Sequence, residues 1–343
     1  MVENNTYMHH SKTEEMMSEH ATLNIIKPGT IIGDKYIVGK SIGSERFEST
    51  YIGWDTVLER KVEIKEYLPS EFATRNYGQT QVTVFSGEKA DQFAIGRQKF
   101  VEEAKRLAKF KSENGIVKIY DSFEANEAAY IVMEYLEGET LAKFIHREGK
   151  VSPEKAVEML MPIIEILKKV HEMGIIHAGI FPNNIFLTKK GQIKLINIWD
   201  IKYKRKYLQT DIIIKPNYDN YLAEELYRSR GKQGPYTDVY SVGAVLYKLI
   251  TGETPPDALE RRATFQSKGK DILKPIHKIV KNVPPNIETA IHNAMNVRIE
   301  DRTPDMINLA AELLSSTPVK LRGKRSIFKL LNIRMKRILQ NMD

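Results

Sequence analysis

Short runs of β-branched and aromatic residues, separated by polar turns, dominate the chain between about residues 30 and 85. The runs are Tyr36–Val38, Thr50–Trp54 and Lys61–Lys65. Runs of this length, bounded by turn residues, predict successive antiparallel strands. A further run, Gln81–Phe85, predicts either an extra strand or an extended loop, and two more apolar runs follow at 115–120 and 129–135.

Helical spacing of apolar residues takes over further along the chain. Phe100, Ala104 and Leu107 recur at this spacing, which predicts an amphipathic helix over about 96–111. Beyond Gly138 the predicted helices are 139–148, 153–173, 238–251, 285–296 and 304–314. Ser152 and Thr303 are predicted N-caps, because each precedes a proline that suits the first helical turn.

This change in the periodicity of the apolar residues predicts an α+β protein in which a strand-rich part precedes a helix-rich part. The predicted organisation is a flexible leader over 1–28, a strand-rich domain over 29–137, a helical domain over 138–316 and a tail over 317–343. The 42% hydrophobic and 28% charged fractions are those of a globular protein. The chain has no cysteine, which excludes disulfides, thiolate nucleophiles and zinc–thiolate sites.

The net charge of +8 is concentrated at the C-terminus. Residues 319–343 hold eight basic residues against one acidic residue, so the rest of the chain is nearly neutral. A nucleic-acid partner is therefore not expected. No apolar run reaches the length of a membrane span and no secretory signal is present, which predicts a cytoplasmic protein.

Several segments, in order along the chain, resemble the motifs of bacterial eukaryotic-like Ser/Thr protein kinases. They are 35–43, 50–55, 62–69, 100–104, 116–120, 130–138, 177–185, 236–243 and 300–302. The resemblance covers about residues 30–315 and implies a bilobal kinase-like fold, with an antiparallel β N-lobe and a helical C-lobe. It also implies ATP and Mg²⁺ as ligands, so each chemical position requires a separate comparison with the family pattern.

The N-lobe positions depart from that pattern where a nucleotide would bind. Glu45 and Glu48 stand at two positions of the glycine-rich loop, and Glu63 replaces the small residue that packs on adenine. A carboxylate in such a place would be desolvated without a partner. Lys65 and Glu103 match the lysine and the helix glutamate that the family pairs, and we interpret them as a retained structural ion pair.

The catalytic loop and the metal motif are also altered. Gly179 stands where the family has its catalytic base, Phe181 where it has the lysine that steadies the transferred phosphoryl group, and Asn197 where it has the metal-binding aspartate. Asn184, the second metal ligand of the family, is retained. Glycine cannot accept a proton, and a neutral amide is a poorer ligand for Mg²⁺ than a carboxylate.

The scaffold positions, in contrast, follow the family. Glu225 and Arg302 match a buried ion pair that closes the activation segment, and Asp238 matches a residue of the helix that anchors the C-lobe. Together these observations predict a pseudokinase, with no catalytic residues, no metal site, no cofactor and a protein partner. The residual ATP-site positions are then Lys65, Glu103 and Asn184. The competing hypothesis is an atypical or weakly active ATP-dependent kinase or a nucleotidyl transferase.

The tail supports a further hypothesis, a membrane-surface adaptor. Phe328, Leu331, Met335 and Ile338 recur on one helical face, and Lys329, Arg334, Lys336 and Arg337 occupy other positions. A basic amphipathic helix is typical of an anionic membrane surface or a partner-binding segment. Peripheral attachment at the inner membrane surface and packing on the chain's own helical lobe both remain open.

Overall fold

The computed structural model describes residues 24–44, 47–76, 78–110, 112–196, 219–228 and 231–318. These residues form two compact units. The first takes the described residues up to Ser112 together with Val117–Leu136, and the second takes Glu113–Ile116 with the described residues from Glu137 onward. The leader predicted over 1–28 overlaps the first unit, because Ile26 is buried and its backbone N–H donates to the Tyr51 hydroxyl at 3.1 Å.

A six-stranded antiparallel sheet forms the body of the first unit. Its strands are β1 (Ile31–Ile32), β2 (Tyr36–Ser44), β3 (Glu48–Asp55), β4 (Arg60–Tyr67), β7 (Ile119–Ala125) and β8 (Ala128–Glu134). The spatial order is β1-β2-β3-β4-β8-β7. The predicted strands are thus present, although the run at 115–120 enters β7 only at Ile119.

The sheet register follows from which side chains are buried. Tyr51 on β3 lies opposite Ile64 on β4, and both are fully buried on one face. Gly53 lies beside them, and a Cβ at this position would come within 2.3 Å of Ile64 Cδ1, so only glycine fits without a shift. Residues one position along each strand point to the opposite face, which carries Lys65.

One long helix packs on the Lys65 face. Helix α1 (Glu88–Leu107) places Phe93 and Phe100 against Tyr67 of β4, with ring centroids 5.2 and 5.7 Å apart. The helix begins eight residues before the predicted start near 96, because Gly87 forms its N-terminal boundary. The uncertain run at 81–85 contributes β6 (Thr83–Val84), which pairs with β5 (Ala73–Thr74).

Helices dominate the second unit. They are α2 (Leu141–Glu148), α3 (Pro153–Glu172), α4 (Pro235–Thr251), α5 (Ala258–Lys268), α6 (Pro285–Ala294) and α7 (Met306–Leu313). A small sheet in the order β11-β10-β9 joins β9 (Gly138–Thr140), β10 (Ile185–Thr188) and β11 (Ile193–Leu195). The α+β fold class predicted from the sequence is confirmed.

Helix α4 is the centre of this unit, because it is buried along nearly its whole length. It packs against α3, α6 and α7. The approach of α6 is close at Gly243, where a Cβ would come within 2.9 Å of Ala294 Cβ and Met295 Cγ. A larger residue at this position would force the two helices apart.

The helix caps show one confirmed prediction and one error. Ser152 caps α3, accepting from the Lys155 backbone N–H at 3.2 Å. The predicted cap at Thr303 is wrong: α7 begins after Asp305, whose Oδ1 accepts from the Asn308 backbone N–H at 2.8 Å. The Thr303 hydroxyl instead donates to buried Glu312, a contact between residues nine apart that local spacing does not show.

Helix α5 has no counterpart among the predicted elements. Its buried residues are Ala258 and Arg261, so most of its side chains are polar and its apolar periodicity is weak. Its N-cap is Asp257, whose carboxylate accepts from two backbone N–H groups. In the described residues, no helix combines the length and the apolar character needed to cross a bilayer.

Candidate functional site

The first unit holds Lys65 in a buried ion pair with Glu48. The Lys65 Nζ lies 2.9 Å from Glu48 Oε1, and the two side chains are only 8% and 5% exposed. Lys65 lies opposite Thr50 and Glu48 lies opposite Tyr67, so the pair is a diagonal cross-strand contact on one face of the sheet. Glu48 thus occupies a glycine-loop position that the sequence predicts to be unfavourable for phosphate. Its carboxylate neutralises the Lys65 ammonium group.

Glu63 adds a second carboxylate to the same face. It precedes Lys65 by two residues on β4 and lies opposite Ile52 and Met133. Burial raises the pKa of the Glu63 carboxyl. The positive charge of Lys65 lowers this pKa, and the negative charge of Glu48 raises it. The desolvation that the sequence predicts for Glu63 thus has its physical cause in the sheet.

The other predicted partner of Lys65 lies on α1. Glu103 Oε2 is 3.3 Å from Arg106 Nη1, one turn along the same helix. The pairing of Glu103 with Lys65 stays a prediction. Glu45, the other loop glutamate, lies outside the described residues.

The second unit holds the loop that corresponds to the catalytic loop. Buried Asp238 accepts from the backbone N–H groups of His177 and Ala178, at 2.8 and 2.7 Å, and lies 2.7 Å from His171 Nε2. These contacts hold Ala178 at a φ of 56°, a left-handed conformation that is unfavourable for a residue with a Cβ. The anchor helix α4 therefore determines the path of the loop.

The rest of the loop is braced by its own side chains. The Gly179 N–H donates to His177 Nδ1 at 3.2 Å, and Asn184 Nδ2 donates to the Gly179 carbonyl at 2.8 Å. Phe181 is buried. The loop keeps an ordered backbone, but position 179 carries no carboxylate and position 181 no ammonium group.

The predicted pair of Glu225 and Arg302 is present in the same unit. Arg302 donates from both terminal nitrogens to the two carboxylate oxygens, at 2.7 and 3.2 Å, and the side chains are 0% and 3% exposed. The Thr237 hydroxyl donates to Glu225 Oε1 at 2.9 Å, and the Arg302 guanidinium also donates to the carbonyls of Asn296 and Tyr236. Every group of the pair therefore belongs to one buried network.

A second buried network, in the first unit, was not predicted from the sequence. Glu66 forms a bidentate ion pair with Arg75, and its two oxygens also accept from the hydroxyls of Tyr51 and Tyr130. Arg75 Nη1 donates to the Asn24 carbonyl at 2.6 Å. A glutamate inside a strand, with an arginine nine residues later, is a weak indication of such a network, because strand alternation does not identify the partner.

Other predicted site residues have no structural description here. Asn197 and the four tail arginines and lysines lie outside the described residues. Within the described part of the chain, no group of three or more His, Asp or Glu side chains is arranged to hold a metal ion.

The two units together define a class of protein. An antiparallel sheet with one long helix, followed by a helical unit built around α4, is the architecture of a protein kinase domain. The protein kinase domain family matches residues 78–329, more than half of the sequence, and this chain belongs to that family.

Individual relatives agree with this assignment. The chain is 26% identical over 304 residues to the probable serine/threonine-protein kinase PknB of Lactococcus lactis, covering 88% of this chain and 45% of that protein. It is 27% identical over 286 residues to the serine/threonine-protein kinase PknL of Mycobacterium tuberculosis, covering 82% and 66%. The chain thus spans less than half of the first relative and about two thirds of the second.

A solved structure is similar over nearly its whole length. The structure described as "PpkA-294 apo form" superposes with a TM-score of 0.71 at 26% sequence identity, covering 84% of this chain and 99% of that one. The predicted kinase fold is confirmed by this similarity.

Proposed function

We propose that this chain is a pseudokinase, a protein-kinase domain that does not transfer phosphate and acts as a binding or regulatory module. The observation that carries the proposal is the loop over 177–184. Its backbone is braced by Asp238 and Asn184, yet Gly179 and Phe181 stand where the reaction needs a base and a cation.

Phosphoryl transfer depends on positioning and on neutralising charge around the transferred group. A general base must lie within hydrogen-bond reach of the hydroxyl that it deprotonates, and glycine offers no side chain for this step. A buried phenyl ring at position 181 cannot replace an ammonium group beside a polyanion. The neighbouring backbone is held in place, so a small local movement does not restore either function.

The residues that would meet Mg²⁺ and ATP do not fit these ligands. The Lys65 ammonium is neutralised by Glu48 within the sheet, and the half-buried Glu63 carboxyl lies on the same face. Asn184 uses its amide nitrogen to brace Gly179, and Asn197, outside the described residues, is uncharged. Mg²⁺ prefers carboxylate and phosphate oxygens, so two amides are a weak site.

The preserved scaffold supports a binding role. The Glu225–Arg302 pair and the Asp238 contacts stabilise the helical unit without taking part in phosphate chemistry. A domain that retains these contacts keeps a stable surface for a protein partner. The serine/threonine kinase activity in the names of the relatives belongs to longer proteins, and we do not extend it to this chain.

Calorimetry and thermal melting with millimolar ATP, with and without Mg²⁺, test the proposal. We expect no change, whereas a ligand at 100 times its Kd would stabilise the protein by about 2.7 kcal/mol. ATP labelled on the γ-phosphate detects phosphoryl transfer, and ATP labelled on the α-phosphate detects nucleotidyl transfer.

Neither label should be incorporated into the protein or into a generic substrate. Incorporation in the wild type that is lost in Lys65→Ala but kept in Lys61→Ala would contradict the proposal, because Lys61 is an exposed lysine of the same strand. The label that appears would identify which of the two competing activities is present.

A further inference from the structure

The ion pair between Glu48 and Lys65 is fixed by the sheet. Glu48 is the first residue of β3, and its strand partner Tyr67 is packed between Phe93 and Phe100 of α1. The strand ladder sets the register of Glu48, and the helix fixes the far end of β4. The carboxylate is therefore positioned by ordered elements on two sides.

Burial makes this contact difficult for a free anion to displace. A buried ammonium group requires an anionic partner, and Glu48 supplies one at 2.9 Å with both side chains almost inaccessible to solvent. Because Glu48 belongs to the neighbouring strand, it competes as an intramolecular ligand at high effective concentration. A free phosphate group must displace Glu48. The apparent affinity for phosphate is therefore the intrinsic affinity multiplied by the fraction of time that the pair is open.

We propose that Glu48 is a tethered anionic ligand of Lys65, which closes from within a cation site that would otherwise accept a polyphosphate. The inference deepens the proposed function and rests on it in one respect, namely that the wild-type protein does not bind ATP. The ligand class is an inorganic or nucleoside polyphosphate without Mg²⁺, since the closed group is a single ammonium ion.

Glu48→Gln tests the proposal, because it removes the charge and keeps the size of the side chain. The probes are inorganic tripolyphosphate and ADP, both without Mg²⁺, measured by calorimetry and thermal melting at low salt. We expect the variant to bind tripolyphosphate, and the wild type to show no binding even at a concentration about tenfold above the Kd of the variant. Glu48→Gln/Lys65→Met should lose this gain, and Glu59→Gln, at an exposed hairpin position, controls for the change in net charge.

A folded Glu48→Gln protein that binds no tighter than Glu59→Gln would overturn the inference and leave the proposed function intact. Binding of ADP or tripolyphosphate by the wild type would contradict both. If Glu48→Gln and the smaller Glu48→Ser both fail to fold, acylation of the native wild type replaces them. Lys65 should then label far more slowly than exposed Lys61, and equal labelling rates would overturn the proposal.

Discussion

Removing Arg302 should destabilise the helical unit strongly. The guanidinium makes a buried bidentate contact with Glu225 and two further, partly buried hydrogen bonds to backbone carbonyls. Arg302→Ala leaves the Glu225 carboxylate buried, with a hydrogen bond from the Thr237 hydroxyl. Breaking one side of a buried pair typically costs about 3–5 kcal/mol.

The loss of the carbonyl contacts adds to this cost. A fully buried carbonyl that loses its donor costs about 1–3 kcal/mol, and these partly buried carbonyls cost less because water can reach them. We therefore use about 3–5 kcal/mol for the whole substitution. In a unit of this size, 1 kcal/mol corresponds to about 2–4 °C in Tm, so the expected decrease is roughly 6–20 °C.

Thermal melting followed by circular dichroism measures this decrease. Arg298→Ala is a matched control, because Arg298 lies four residues earlier, is 43% exposed and forms surface ion pairs with Glu300 and Asp301. Exposed pairs contribute about 0–1 kcal/mol, so this variant should melt close to the wild type. Arg302→Lys should lie between them, since lysine keeps the charge but cannot form the bidentate contact.

The result that would refute the reasoning is equal melting of Arg302→Ala and Arg298→Ala. Such an outcome would mean that water or a neighbouring cation compensates Glu225 when Arg302 is absent. A double-mutant cycle with Glu225→Gln gives a second measure of the pair. A coupling energy near zero would show that the two side chains contribute independently.

Two further predictions concern other parts of the chain. Burial raises the pKa of Glu312 to about 7, opposed by hydrogen bonds from Asn293 and Thr303, so the folded state binds this proton more tightly than the unfolded state. The resulting stability is fully present below the unfolded pKa and is lost as pH rises through about 7. The difference between the folded and unfolded pKa corresponds to roughly 3 kcal/mol of stability. Glu312→Gln should therefore be more stable than the wild type at pH 8 and lose that advantage at pH 4. Parallel pH–stability curves for the two proteins would contradict this prediction. In the tail, outside the described residues, Lys336→Glu with Arg337→Glu should remove the salt-sensitive part of binding to anionic vesicles, by about 1 kcal/mol per charge. No co-sedimentation of the wild type with anionic vesicles at low salt would end the membrane hypothesis, and lower thermal stability of Phe328→Ala/Leu331→Ala would then favour packing on the helical lobe.

Local sequence was sufficient for most helices and strands, because their periodicity and caps involve residues within one or two turns. The cap at Ser152 and the strand through Lys65 are examples. Helix α5 was missed, since it buries Arg261 among few apolar residues and its stability depends on contacts with Asp271 and Tyr240. Thr303 is a residue type that commonly caps helices, but its hydroxyl donates a hydrogen bond to Glu312 instead.

Some features of the candidate site also follow from the sequence, and others depend on the tertiary structure. The identities of Gly179, Phe181 and Glu63 are properties of the sequence, and they alone exclude a carboxylate, an ammonium group and a small side chain from those positions. The sequence also predicts the contact between Glu225 and Arg302, but only through resemblance to a family, since the two residues are 77 positions apart.

The contact between Lys65 and Glu48 was decided by tertiary structure. The register of two strands brings Glu48 to 2.9 Å from the Lys65 ammonium group, a contact that comparison with the family pattern does not predict. Likewise, the contact between Glu66 and Arg75 joins β4 to the residue that follows β5, which local sequence does not specify. Side-chain charge is encoded residue by residue, but the distance between two charges depends on register and packing between elements, and in a buried site that distance determines which charge is neutralised.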